Sequence, residues 1–175
     1  MIWRKKQSLP IALATLVSLL SIGNHGHAQT RVTVGVTETI ETHNPYGDTV
    51  RLMYSIWSEV TGPFCAYNYA KGDFEGRLAE RWKVENPTTW IFYINKGYKF
   101  NDGSPVTADD VVHSLLTRVM ADSQSKQKVA VAPSIAKAEA IDKFTVKLTT
   151  DKPTAPLLSF LCDRFIVTSK AAFDK

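Results

Sequence analysis

The chain has 175 residues, and its formal net charge of +4 is concentrated at one end. Arg4, Lys5 and Lys6 lie in the first 28 positions with no acidic residue, so the other 147 carry 18 basic and 17 acidic residues, a net +1. That balance removes the electrostatic warrant for nucleic-acid binding, and 147 residues suffice for a single domain with a core of its own.

The first segment reads as an address. A positive start, an apolar run from Leu9 to Ile22, and the small residues Gly26 and Ala28 before Gln29 are the pattern of a cleaved signal peptide. The apolar run is broken early by Pro10 and is shorter than the ~20 residues of a membrane span. No cysteine follows the run to carry a lipid anchor. The expectation is a soluble exported protein.

Arg31 to Val36, RVTVGV, alternates like a strand, and Thr37 to Gly47 follows as a polar loop with the turn formers Asn44-Pro45 and Gly47. Leu52, Met53, Ile56, Trp57 and Val60 share a helical face, which predicts a helix over Val50 to Val60, ending at Thr61-Gly62-Pro63. Phe64 to Tyr69 reads as a short aromatic strand turned back at Lys71-Gly72-Asp73. Trp82 to Val84 and Trp90 to Ile94 read as two strands joined through Asn86-Pro87.

Thr107 to Met120 is the best-marked helix. Thr107 and Asp110 have capping-box spacing, and Asp109 adds a second carboxylate to the first turn. Val111, Val112, Leu115, Leu116, Val119 and Met120 form one apolar stripe for burial. After the polar loop Ala121 to Lys128 come strands at Ile135 to Ile141 and Phe144 to Leu148, a helix from Thr154 to Leu161, and a strand at Phe165 to Thr168. Ser169 then caps a helix that has no stop signal before Lys175, as though the chain were cut within an element.

Candidate chemistry is sparse. Cys65 and Cys162 either form one bridge across a long loop or stand as two separate buried thiols. Asp102, Asp109 and Asp110 are accounted for by turn and helix-start chemistry rather than paired-carboxylate catalysis. His43 and His113 lack ligand partners at metal spacing, and Ser104 and Ser114 lack a nucleophile elbow. Phe92, Tyr93, Tyr98 and Phe100 are explained by strand and core positions. No phosphate loop or dinucleotide fingerprint is present. These residues give no catalytic, metal or cofactor site.

A run of motifs in fixed order carries a resemblance. Gly76 to Trp82 (GRLAERW), Lys96 to Phe100 (KGYKF), Asp102 to Val112 (DGSPVTADDVV) and Phe165 to Lys170 closely resemble segments of the family 5 extracellular solute-binding proteins. Val34 to Pro45 and Tyr54 to Gly62 resemble the family's opening strand and first helix. The resemblance implies an α/β, two-lobed (type II) periplasmic-binding-protein fold with a solute cleft between the lobes. Complete members are several-fold longer. It implies residues 29–45 as the start of the first lobe, 46–163 as an extra subdomain and 164–175 as a truncated return to the first lobe.

By the same resemblance the function is capture of a small solute, a peptide by preference, for an inner-membrane ABC importer permease, in the periplasm and without chemistry or cofactor. The family brings the loop Thr37 to His43 toward the ligand, which makes Glu38 and Thr39 candidate contacts for a peptide amine or amide, with Tyr46 nearby. The plainer alternatives are a solvated Glu38 and a locally packed Tyr46. Two other functions stay open: a secreted hydrolase, and a stand-alone interaction module that binds no solute.

Overall fold

The structure, a computed structural model, describes residues 33, 35, 44–47, 51–122, 124–126, 128 and 135–174. The signal segment, the predicted strand Arg31 to Val36 as an element, and Glu38, Thr39 and His43 lie outside the described residues. The chain divides into two units, Met1–Val36 and Thr37–Lys175. In the first, only Thr33 and Gly35 are described, and both are exposed. All that follows concerns the second.

Helix α1 (Arg51–Thr61) agrees with the predicted helix to within a residue at either end. It ends at Gly62, whose φ of +74° suits a residue without Cβ and whose N–H donates to the Ser58 carbonyl at 2.9 Å. A small hairpin follows, β1 (Cys65–Asn68) paired antiparallel with β2 (Asp73–Gly76). The Asn68 carboxamide oxygen shapes its turn by accepting from the N–H groups of Ala70 and Lys71. At Gly76 the chain folds so tightly that a Cβ would run into the Glu80 carbonyl. That contact explains the small residue at the head of the GRLAERW motif.

The main sheet has four antiparallel strands in the order β3-β4-β6-β5. They are β3 (Ala79–Asn86), β4 (Thr89–Ile94), β5 (Ile135–Asp142) and β6 (Thr145–Thr150). β4 is central and nearly continuous in burial, whereas β3, on the sheet edge, is mostly exposed. One face of the sheet is covered by helix α2 (Ala108–His113), which runs on as wider π-helical turns from Ser114 to Ala121. The single α-helix predicted over Thr107 to Met120 is thus corrected to a helix that widens halfway. The Asp122 N–H reaches back five residues to the Thr117 carbonyl, 3.0 Å away. Val111, Leu115 and Val119 are buried as the stripe requires, with Val112, Leu116 and Met120 half-buried at its margin.

Two later elements also differ from the sequence reading. Helix α3 spans Leu157–Asp163 and begins three residues later than predicted, because Pro156 biases the residue before it away from helical backbone. Phe165 to Thr168, predicted as a strand, belongs to no strand among the described residues. Its apolar side chains still bury, with Phe165, Ile166 and Val167 each no more than 5% exposed. Helix α4 (Lys170–Phe173) follows, capped by the Ser169 hydroxyl, which accepts from the Ala172 N–H.

The core knits these parts around Phe64, whose ring meets Phe92 and Phe165 edge-on at 5.4 and 5.3 Å. Cys65 and Cys162 are bonded, with Cα atoms 4.4 Å apart, and the bridge ties β1 to α3. Closing 97 residues of sequence separation stabilises by about 4–5 kcal/mol in the chain-entropy account. Replacing both cysteines with serine is therefore expected to lower the melting temperature by about 10 °C or more. Thermal melts of both proteins, with and without reductant, check this; reductant should move only the parent.

Candidate functional site

Of the buried polar residues described, Asp110, His113 and Ser114 gather where α2 and its continuation meet the segment after Phe165. Asp110 is at the centre and only 8% exposed. Its Oδ2 accepts from the Thr107 N–H at 2.9 Å and from the Thr107 hydroxyl at 2.7 Å, completing the predicted capping box. Its Oδ1 accepts from the Lys170 N–H at 2.9 Å. One carboxylate thereby starts α2 and fixes the first turn of α4.

A turn further on, the fully buried Ser114 exchanges two bonds with Thr168. Its Oγ accepts from the Thr168 N–H at 2.9 Å and donates to the Thr168 carbonyl at 3.3 Å. These stand in for the bonds that a neighbouring strand would supply. Ser114 is spent on backbone, so it is not placed as a nucleophile. His113 is also buried, against the Phe173 ring at 5.2 Å, and its Nε2 has no hydrogen-bond partner. Among the described residues no group of three His, Cys, Asp or Glu is arranged to hold a metal ion.

Tyr46 is placed inside, not facing a cleft. It is 0% exposed, and its hydroxyl donates to the Ile166 carbonyl at 2.9 Å and sits 3.2 Å from Thr168 Oγ1. Its own carbonyl accepts from the Lys126 N–H at 3.0 Å. The Arg118 guanidinium lies between two rings, 5.3 Å from that of Tyr46 and 4.3 Å from that of Phe173, and pairs with Asp122 at 3.0 Å. With no exposed surface, Tyr46 serves here as an anchor for the segment at Ile166 and Thr168. Local packing, the plainer reading of Tyr46, underestimated it, since its partner lies 120 positions away.

Beside the anchored segment is a hollow of about 190 Å³, walled by Tyr98 and Phe100 of the KGYKF motif and by Val60, Val167 and Thr168. The arrangement positions backbone and leaves an apolar recess; it assembles no acid, base or nucleophile. Asp110 and Ser114 as architectural residues were missed by the sequence reading in part. The capping box was readable, but the second oxygen of Asp110 and the burial of Ser114 serve partners more than 50 residues away.

The comparisons agree with this architecture. Residues 73–175 match the model of the bacterial extracellular solute-binding proteins, family 5 (middle). The chain belongs to this family. The family 5 chain is 37% identical over 92 residues to the probable D,D-dipeptide-binding periplasmic protein DdpA of Escherichia coli K12. That stretch is 52% of this chain and 17% of DdpA, so the match spans about a sixth of the relative's length.

Among solved structures it resembles MoaA of A. tumefaciens R10, in complex with mannopinic acid, at 27% identity and a TM-score of 0.65, over 75% of this chain and 28% of that one. It resembles OppA of Burkholderia pseudomallei at 20% identity and a TM-score of 0.67, over 75% and 29% of the two chains. The fold is the α/β fold of type II periplasmic binding proteins, carried here in part. No helix among the described residues is long and apolar enough to cross a membrane.

Burial pushes the Tyr46 phenol above its ordinary value of 10.0, against smaller opposing effects of its bonds to Thr168 and Ser114 and of Arg118. A raised value in the fold means that the associated stability is present below pH 10 and is lost as pH rises through the folded value. Tyr46→Phe is expected to remove one late-titrating phenol from the absorbance titration and to flatten the alkaline fall of the melting temperature. At neutral pH it should cost about 1–2 kcal/mol, because the buried Ile166 carbonyl loses its donor. Asp110→Asn should cost about 1–3 kcal/mol, since one of two accepting oxygens becomes a donor facing an N–H. Denaturant melts at pH 7 measure both.

Proposed function

We propose that this chain is the N-terminal part of the solute-binding component of an ABC importer, and that the whole protein captures dipeptides or oligopeptides in the periplasm. The observation that carries the reading is the family match over residues 73–175, joined to a relative named for D,D-dipeptide binding at 37% identity. In this reading residues 1–28 direct export, 29–45 open the first lobe, 46–163 form the extra subdomain and 164–175 return to the lobe. The bond from the Tyr46 hydroxyl to the Ile166 carbonyl supports that division, because the chain leaves and re-enters at one point.

Capture requires two walls. A closed state is favoured only by what the solute contacts on both sides, and the matched structures are between three and four times longer than the part matched here. The chain alone therefore supplies one wall. Glu38 and Thr39, on the loop ahead of Tyr46, are proposed as contacts of that wall for a peptide amine or amide, and the permease as the docking partner of the complete protein.

Three measurements test this. Expressed with its first 28 residues in a Gram-negative host, the product should appear in the periplasmic fraction with Gln29 as its first residue by N-terminal sequencing. Sequencing the DNA downstream of Lys175 should find a frame continuing into a second lobe. In titration calorimetry the complete product should bind peptides with Kd below about 1 μM, and this chain alone should not. Sub-micromolar binding by the chain alone would overturn the two-wall requirement. A complete product that ignores peptides and binds a sugar-acid conjugate would overturn the peptide assignment.

A further inference from the structure

One recess of the domain belongs to none of the arrangements above. It is a cleft of about 690 Å³ between the end of α1, the β1–β2 hairpin and α3, and it shares no lining residue with the hollow beside the anchored segment. Its size falls in the range of small-ligand sites. The Cys65–Cys162 bridge lies in its lining and covalently ties the β1 wall to the α3 wall.

Three aromatic rings converge on it. Tyr67 is central, with Tyr69 at 5.1 Å and Phe74 at 5.2 Å, both edge-on. The edge-on contacts gather the three rings at one place, and a ring face carries partial negative charge. Tyr67 and Tyr69 remain 43% and 88% exposed, a large aromatic surface left facing water. Two carboxylates complete the rim. Glu59 is exposed and has no hydrogen bond or ion pair among the described residues. Asp163 has only a 3.4 Å contact with the Nε of its neighbour Arg164. No Lys, Arg or His lines the cleft.

We infer that this cleft is a second binding site, one that takes an organic ammonium group. The chemistry selects that class. Ring faces and carboxylates both attract positive charge, and a bulky, weakly hydrated alkylammonium gives up less on leaving water than a small metal ion does. An anion meets two carboxylates, and the neighbouring Arg164 is already turned to Asp163. A neutral apolar group of the same shape gains the contact area without the charge. The site is independent of the solute cleft proposed above, so it stands or falls without the peptide reading.

The probes are choline and its uncharged isostere 3,3-dimethyl-1-butanol, titrated into the full chain and followed by the NMR shifts of the tyrosine rings, with sodium chloride as the ionic-strength control. Choline should saturate with Kd of about 1–10 mM, and the isostere should bind at least about tenfold more weakly. Glu59→Gln and Tyr69→Leu should each weaken choline about threefold to tenfold. Both side chains are exposed, and circular dichroism should match the parent for both variants. Equal affinity for the two probes, choline affinity unchanged in both variants, or a response that never saturates would each overturn the site.

Discussion

The Asp110 carboxylate is the interaction on which the rest of this domain depends. A buried charge is tolerated only when its lone pairs are occupied, and here three donors from two distant stretches occupy them. Thr107 and Lys170 are thereby brought to one point. The same side chain that starts α2 determines where α4 starts, so the packing of the covering helix and the course of the chain after Phe165 are not separate problems. Ser114 continues the arrangement one turn along, and Tyr46 closes it from the other side. Each of the three polar side chains serves a backbone group of residues 166–170. A segment with buried side chains that belongs to no strand among the described residues would otherwise leave unsatisfied N–H and C=O groups in the interior.

The apolar core and the disulfide solve a different problem. The four-stranded sheet has one face covered by α2 and its wider continuation, but the β1–β2 hairpin has only two strands, and an isolated pair is marginal in water. Phe64 joins it to the sheet through Phe92 and to the extended segment through Phe165. Cys65, the next residue, joins it to α3. Two consecutive residues thus hold the hairpin by packing and by a covalent bond. The cleft lined by Tyr67, Tyr69 and Phe74 follows from that arrangement, since the bridge fixes how near α3 can come to the hairpin.

What was legible in the sequence was what local rules decide. The α1 face, the capping box at Thr107 and Asp110, the glycine stop at Gly62 and the four strands of the main sheet all rest on contacts within a few residues or on periodicity. The family resemblance was legible for the same reason, since GRLAERW and DGSPVTADDVV encode turns and a helix start. The errors arose where distant partners decide. Phe165 to Thr168 has strand composition, but side chains from α2 take the place of a neighbouring strand. Tyr46 sits beside a loop expected to meet solute, yet a partner 120 positions away claims its hydroxyl. The two cysteines left both outcomes open, because no spacing rule shows whether Cα atoms 97 positions apart come together. Glu38 and Thr39 lie outside the described residues, so their part of the site rests on the resemblance alone.

These constraints also bear on how a binding protein of this family can carry a large excursion without losing the geometry of its lobe. On the proposed reading, residues 46–163 interrupt the first lobe. An interruption of that size loosens the lobe unless its two ends are held at a fixed separation. Loop-closure entropy grows only slowly with length, so length itself is tolerated; motion at the ends is what misplaces a solute contact. Here the ends are fixed directly to each other, Tyr46 to Ile166, and then to α2 through Ser114 and Asp110. Glu38 and Thr39 precede Tyr46 by eight and seven positions in the sequence. An anchor without solvent exposure at that position keeps the start of the excursion from drifting, and it does so without contacting solute itself. On that reading Tyr46 is a positioning residue, whose hydroxyl holds the backbone that follows the segment proposed to meet solute.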